Sequence, residues 1–169
     1  GTGTGAAPII AKLAQELEIL TVGIVTLPFQ FEGPRRARLA SEGIEALKEN
    51  VDALIVISNN KLREMYGNLA MSSAFNYADN ILTTAAKGIA EIITVPGYIN
   101  VDFEDVNFVM KNSGVAIMGS AQAAGEGRAR QVIELALNSP LLEDNDIRGA
   151  KHILLNITTG RNPEITMDE

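Results

Sequence analysis

The chain has 169 residues, of which 46% are hydrophobic and 21% charged, a balance that suits a packed core and argues against disorder. A formal charge of -7 at pH 7 argues against a nucleic-acid partner or an anionic membrane surface. Without cysteine, disulfides and thiolate metal sites are excluded, which suits a cytosolic protein. There is no apolar run of about 18 residues and no visible signal peptide, so direct membrane insertion is not expected.

Gly1-Thr2-Gly3-Thr4-Gly5-Ala6-Ala7-Pro8 reads as a loop entering a helix, with Ile9, Ile10, Leu13 and Leu17 at helical spacing. The chain starts inside this glycine-rich run without a methionine, which predicts a fragment or a processed chain. Thr21 to Thr26 is a short apolar strand, Phe29 to Gly33 a loop, and Pro34 opens a helix carrying Leu39, Ile44 and Leu47. Asp52 to Ile57 is a second buried-type strand with Ser58-Asn59-Asn60 at its carboxyl end. This alternation predicts a parallel α/β fold. A long helical pattern then runs from about Ser72 to Val95 and breaks at Pro96-Gly97. A further helix places Val106, Val109 and Met110 on one face. Gly114 to Ser120 reads as a strand, Arg128 to Asn138 as a helix ending near Ser139-Pro140, and His152 to Thr158 as another strand. Thr159 to Pro163 has turn chemistry, and a new element starts at Glu164. His152, the one histidine, reads as a surface or sheet-edge residue and supports no Ser-His-Asp triad.

Several stretches admit a chemical reading beside a structural one. Gly1 to Gly5 fits a backbone that approaches a phosphate closely at a helix N-terminus. No Lys follows the glycines, so it is not a Walker A loop; it satisfies G-x-G-x-x-A with Ala6 last, but no strand precedes it. A glycine-rich opening is also what an expression remnant looks like. Arg35, Arg36 and Arg38 put three cations at a helix start, against the macrodipole by about 0.3–1 kcal/mol each. One would be a solvated basic turn; three point to a nearby anion, and the Arg fork suits phosphate. Glu32 can accept from ribose hydroxyls or pair with an Arg.

Phe75 and Asp79 are i and i+4 on the long helix and share a face. An aromatic ring can stack on a purine, and a carboxylate can accept two N–H donors, a pair that guanine offers on its Watson–Crick edge and adenine does not. Taken alone, Phe75 also reads as a core residue. Asn59 lies past the end of a parallel strand, where ligands meet open α/β sheets. Asp102 stands at an N-cap with Asp105 three residues on, so two carboxylates project from one helix mouth. The structural alternative is a cap and a dipole-complementing acid.

In order and spacing these motifs resemble the FtsZ family, the bacterial tubulin-like cell-division GTPases. The resemblance is carried by Gly1 to Pro8, Phe29 to Arg36, Ser58 to Leu62, Ala74 to Asn80, Asn100 to Val106 and Ser139 to Asp144, and it spans most of the chain. It implies a parallel Rossmann-like nucleotide domain (partial, 1–71), a central connecting helix (72–95) and the synergy loop with the first part of a smaller α+β activation domain (96–169). The family's earlier phosphate loops, first strands, last strands and partner-recruiting C-terminal tail have no counterpart here. By resemblance, Gly1, Thr2 and Gly3 cradle the phosphates of GTP or GDP; Thr26, Glu32 and Arg36 line ribose and phosphate; Asn59, Phe75 and Asp79 hold the guanine. Asn100, Asp102 and Asp105 match the loop that enters the next subunit's pocket and positions the attacking water, with Mg²⁺ on the nucleotide. The resemblance further implies a head-to-tail homopolymer in the cytoplasm at the division site, with other division proteins recruited through the tail. Two alternatives stand beside it. One is a non-hydrolysing binding or filament-capping module. The other is a nicotinamide oxidoreductase, for which Glu32, in a loop, is the only acid offered for the ribose.

Overall fold

The computed structural model describes residues 2–67, 70–95, 101–139 and 149–160. Its helices are α1 (Thr2–Glu16), α2 (Pro34–Lys48), α3 (Asn59–Tyr66), α4 (Met71–Thr94), α5 (Phe103–Met110) and α6 (Arg128–Leu137). The strands β1 (Val22–Leu27), β2 (Ala53–Ser58) and β3 (Gly114–Ala116) form one parallel sheet in the order β1-β2-β3. Val22 pairs with Ala53 and Leu27 with Ser58, while β3 matches only the first half of β2.

Alternation along β2 splits the core between the two sheet faces. Ile55 and Ile57 meet Leu62 of α3 and Ala78, Ile81 and Ala85 of α4. Leu54 meets Ala11 of α1 with Leu47 and Val51 at the end of α2. Helices therefore cover both faces of β2, the arrangement its unbroken apolar run demands. At the amino edge, buried Asp52 joins all three strand starts. Its carboxylate accepts from the Thr21 amide at 2.9 Å, its amide donates to the Thr21 carbonyl at 2.9 Å, and its carbonyl accepts from the Gly114 amide at 3.0 Å. Among the described residues no helix is long and apolar enough to cross a membrane.

Four elements differ from the sequence expectation. The glycine-rich opening is helical from Thr2, with Pro8 inside α1, because α1 packs along α2 and a side chain at Gly43 would overlap the Thr4 methyl. α3 was not expected; its end is marked by Gly67, at φ +73°, whose amide returns to the Arg63 carbonyl. The strand expected over residues 114–120 stops at Ala116, and Met118 instead packs over Gly88 of α4. Residues 152–158 join no described strand: the alternation of Ile153, Leu155 and Ile157 supplies a face but no partner, and these side chains are 62–73% exposed. Expectations for Pro96-Gly97, Pro140 and residues 161–169 lie outside the described residues.

Candidate functional site

The carboxyl edge of the sheet is where β1 and β2 deliver their chemistry. β1 ends at Leu27 and passes through Pro28 into a 3-10 turn, Gln30–Glu32; β2 passes directly from Ser58 into α3. Asn59, the first residue of α3, is 4% exposed, and among the described residues its Oδ1 has no hydrogen-bond partner. A buried acceptor left unpaired costs about 1–3 kcal/mol, so the position favours a ligand that brings an N–H. Thr26, half-buried, pairs with Ile57 one step back along the ladder.

Glu32 closes the turn that follows β1. Its Oε1 accepts from the Phe29 amide at 2.9 Å and its Oε2 lies 3.5 Å from the Arg36 guanidinium. The Glu32 side chain is 13% exposed and that of Arg36 71%, so the acid is held in the fold while the cation reaches outward. Gly33, at φ +90°, reverses the backbone and lets Pro34 begin α2. The basic start of α2 is partly neutralised from within: Arg36 pairs with Glu32 and Arg38 with Glu42, each at 3.5 Å. Cations satisfied in this way need a bound anion less than three free ones would.

Phe75 and Asp79 share one face of α4, beside the buried Ala74 and Ala78. Phe75 is 39% exposed and meets Phe29 and Phe31 edge-on, at centroid distances of 5.6 and 6.3 Å, while those two rings stack at 4.9 Å. The ring is thus packed on one side and accessible on the other. Phe29 and Phe31 were not singled out from the sequence; their spacing in Phe29-Gln30-Phe31, which puts both rings on one side of a turn, was the available signal. A cavity of about 350 Å³ opens between this turn, α3 and the start of α4, lined by Phe29, Phe31, Leu62, Arg63, Gly67, Met71 and Ala74. Asn59, Phe75 and Asp79 are not part of its lining. Asp79 is exposed, and its backbone carbonyl accepts from Thr83 Oγ1.

The acid pair is organised differently. Asp102 Oδ1 accepts from the Asp105 amide at 2.9 Å, and Asp105 Oδ2 accepts from the Asp102 amide at 3.2 Å, a reciprocal capping box at the start of α5. The structural alternative is therefore realised, yet both residues remain exposed, each with a second carboxylate oxygen directed at neither backbone amide. Val106, 1% exposed, anchors α5. The twenty residues from Phe75 to Thr94 extend α4 by about 30 Å, and α5 leads into Gly114 at the amino edge of the sheet, beside Asp52. In the chain the acid pair follows the end of α4, the end remote from Phe75. Among the described residues no hydrogen bond or ion pair joins Asp102 or Asp105 to Asn59, Glu32 or Asp79.

Gly1 and Asn100 lie outside the described residues, as does the side chain of Thr2; Gly3 lies in the first turn of α1. Among the described residues no group of three or more His or acidic side chains could hold a metal ion. His152 is exposed and meets Phe108 of α5 edge-on, at 5.3 Å.

The profile of the tubulin/FtsZ family GTPase domain matches residues 1–67, and that of the FtsZ family C-terminal domain matches residues 114–169. The cell division protein FtsZ of Coxiella burnetii is 55% identical over 161 residues, covering 95% of this chain and 42% of that protein. FtsZ of Pseudomonas aeruginosa is 52% identical over 170 residues, covering 100% of this chain and 43% of that protein. A solved structure of an empty FtsZ dimer from M. jannaschii superposes with a TM-score of 0.80 at 48% identity, over 85% of this chain and 42% of that one. The chain therefore spans less than half the length of these relatives.

Proposed function

Because this chain belongs to the tubulin/FtsZ family and carries part of its α/β fold, we propose that it serves a filament-forming cell-division GTPase whose catalytic centre is completed between two copies. Residues 1–71 supply the nucleotide side, 72–95 the connecting helix, and 96–169 the donated loop and the start of the activation part. Asn59 and Asp79 accept the N–H donors of guanine, and Phe75 offers its exposed face to the base. Thr26, Glu32 and Arg36 serve ribose and phosphate, and Gly1, Thr2 and Gly3 the phosphates. Mg²⁺ arriving with the triphosphate takes its ligands largely from phosphate oxygens and water, and neutralises their charge. Asp102 and Asp105, with Asn100, meet the nucleotide held by the next copy, where their free carboxylate oxygens orient and deprotonate the attacking water. A contact of this kind is heterologous and does not close, so filaments result.

The observation that supports this reading is that Asp102 and Asp105 stay exposed and, among the described residues, share no hydrogen bond or ion pair with Asn59, Glu32 or Asp79. The test is turnover per molecule against concentration, in the protein at its native length. Turnover should climb as copies associate; a rate per molecule that stays flat down to the monomer would refute a shared centre. The helical conformation of Thr2–Gly5 favours a second reading for the 169 residues alone, as a module that caps a filament without hydrolysing nucleotide. Added to the native-length protein, such a module changes the turnover of its partner while showing none of its own.

A further inference from the structure

The turn after β1 carries much of the nucleotide side: Phe29 and Phe31 back the Phe75 ring, and Glu32 holds Arg36. The Glu32 cap stabilises the turn internally but does not fix where it sits. A second hydrogen bond does so. The Gln30 amide donates to Asn60 Oδ1 at 3.1 Å, across thirty residues of sequence, and so ties the turn to the first helical turn of α3, next to buried Asn59. Resting on the nucleotide reading above, we infer that Asn60 is a positioning residue for the base and ribose side of the site. It touches no ligand itself; it keeps the Phe29–Phe31 stack against Phe75 and sets Glu32 and Arg36 at a fixed distance from Asn59.

The chemistry needs an acceptor at this position and nothing more, which makes the role separable from general packing. Alanine removes the acceptor and is the best helix former, so α3 persists. Aspartate keeps the acceptor, and its charge is favourable at a helix N-terminus. The experiment uses the native-length protein with Asn60→Ala and Asn60→Asp, reading amide hydrogen exchange at Gln30 and the affinity for a fluorescent GDP analogue. In the Ala variant, Gln30 should exchange faster while the β1–β2 ladder amides do not change. GDP affinity should fall by about three- to tenfold, the scale of one lost hydrogen bond. The Asp variant should restore both. Unchanged Gln30 exchange in the Ala variant, unchanged affinity despite faster exchange, or failure of Asp to restore either would overturn the role of Asn60 alone. Failure of the unaltered protein to bind the GDP analogue would instead overturn the nucleotide reading, and this role with it.

Discussion

The two ends of α4 hold their functional groups by opposite means. Near Phe75 the side chains are tied to distant parts of the chain: the aromatic trio joins α4 to the turn after β1, Gln30 reaches Asn60, and Asn59 is buried beside the main core. Beyond the other end, the carboxylates of Asp102 and Asp105 bond, among the described residues, only to each other's backbone amides and stay in solvent. A site that binds a ligand by itself needs walls, and the first region has them. A loop that acts on a ligand held elsewhere needs to be stiff and accessible, and a self-closed capping box on an anchored helix is both. The contrast teaches that stiffness can be local, four residues deep, where burial has to be global.

The sharpest way to break this comparison separates the cap from the carboxylates. Asp102→Ser keeps a favoured N-cap oxygen, and Asp105→Asn keeps an acceptor for the Asp102 amide, so α5 should persist in the double variant. GTP turnover should nevertheless fall by about 10²–10⁴-fold, the usual worth of a positioned acid or base, with nucleotide affinity unchanged. Turnover that survives this pair would reduce the acids to a helix cap. Next in size is Ile57→Ala, beneath the other region. Ile57 is fully buried in the cluster that joins β2, α3 and α4, so urea unfolding should show a loss of about 2–5 kcal/mol. Because Ile57 precedes Ser58 and Asn59, GDP affinity should fall in step; a destabilised protein with unaltered affinity would show that the base side does not depend on the core beneath it. Smaller again is Asp79→Asn, which exchanges one acceptor oxygen for a donor. The preference for GTP over ATP should drop by about 10- to 150-fold, the worth of one hydrogen bond to a charged group. Equal selectivity before and after would remove Asp79 from base recognition.

What the sequence made legible follows the reach of each signal. β1, β2, α2 and α4 lie where apolar periodicity put them, α4 within one residue at each end, because each pattern is long and its buried face is filled by contacts that the pattern itself specifies. The N-cap at Asp102 is local and was legible, as the structural alternative, from the sequence; that the Asp105 side chain returns to the Asp102 amide was not. The misses depend on partners. Residues 152–158 alternate as a strand should, but a strand exists only where another pairs with it. The Gln30–Asn60 bond joins residues thirty apart and left no trace in either segment. The unpaired Asn59 acceptor was legible as a location, past a strand end, and not as a buried group, since burial is set by tertiary packing that the local sequence does not record. α3 hid because its eight residues are too few to show a period and follow β2 without a loop.

The glycine-rich opening is where the sequence reading and the fold diverge most, and the divergence can be tested by volume. A flexible phosphate loop would tolerate a methyl group added on α2; a helix seated on α2 would not. A Cβ at Gly43 would overlap Thr4 Cγ2, and a β-branched side chain on a helix has little rotamer freedom to withdraw. Gly43→Ala therefore works against itself: alanine improves the propensity of α2 by about 0.8–1.0 kcal/mol, while overpacking against α1 costs about 1–3 kcal/mol. The net should be a modest destabilisation, accompanied by weaker GDP binding, because α1 carries Thr2 and Gly3 with it when it moves. Thr4→Ser deletes the overlapping methyl, so adding it to Gly43→Ala should recover stability and leave the propensity gain, bringing the double variant to or above the parent in urea unfolding. If Gly43→Ala alone stabilises by the full helix-propensity increment and leaves GDP binding unaltered, Thr4 is not seated on Gly43, and the opening segment behaves as the loop that its glycines suggest.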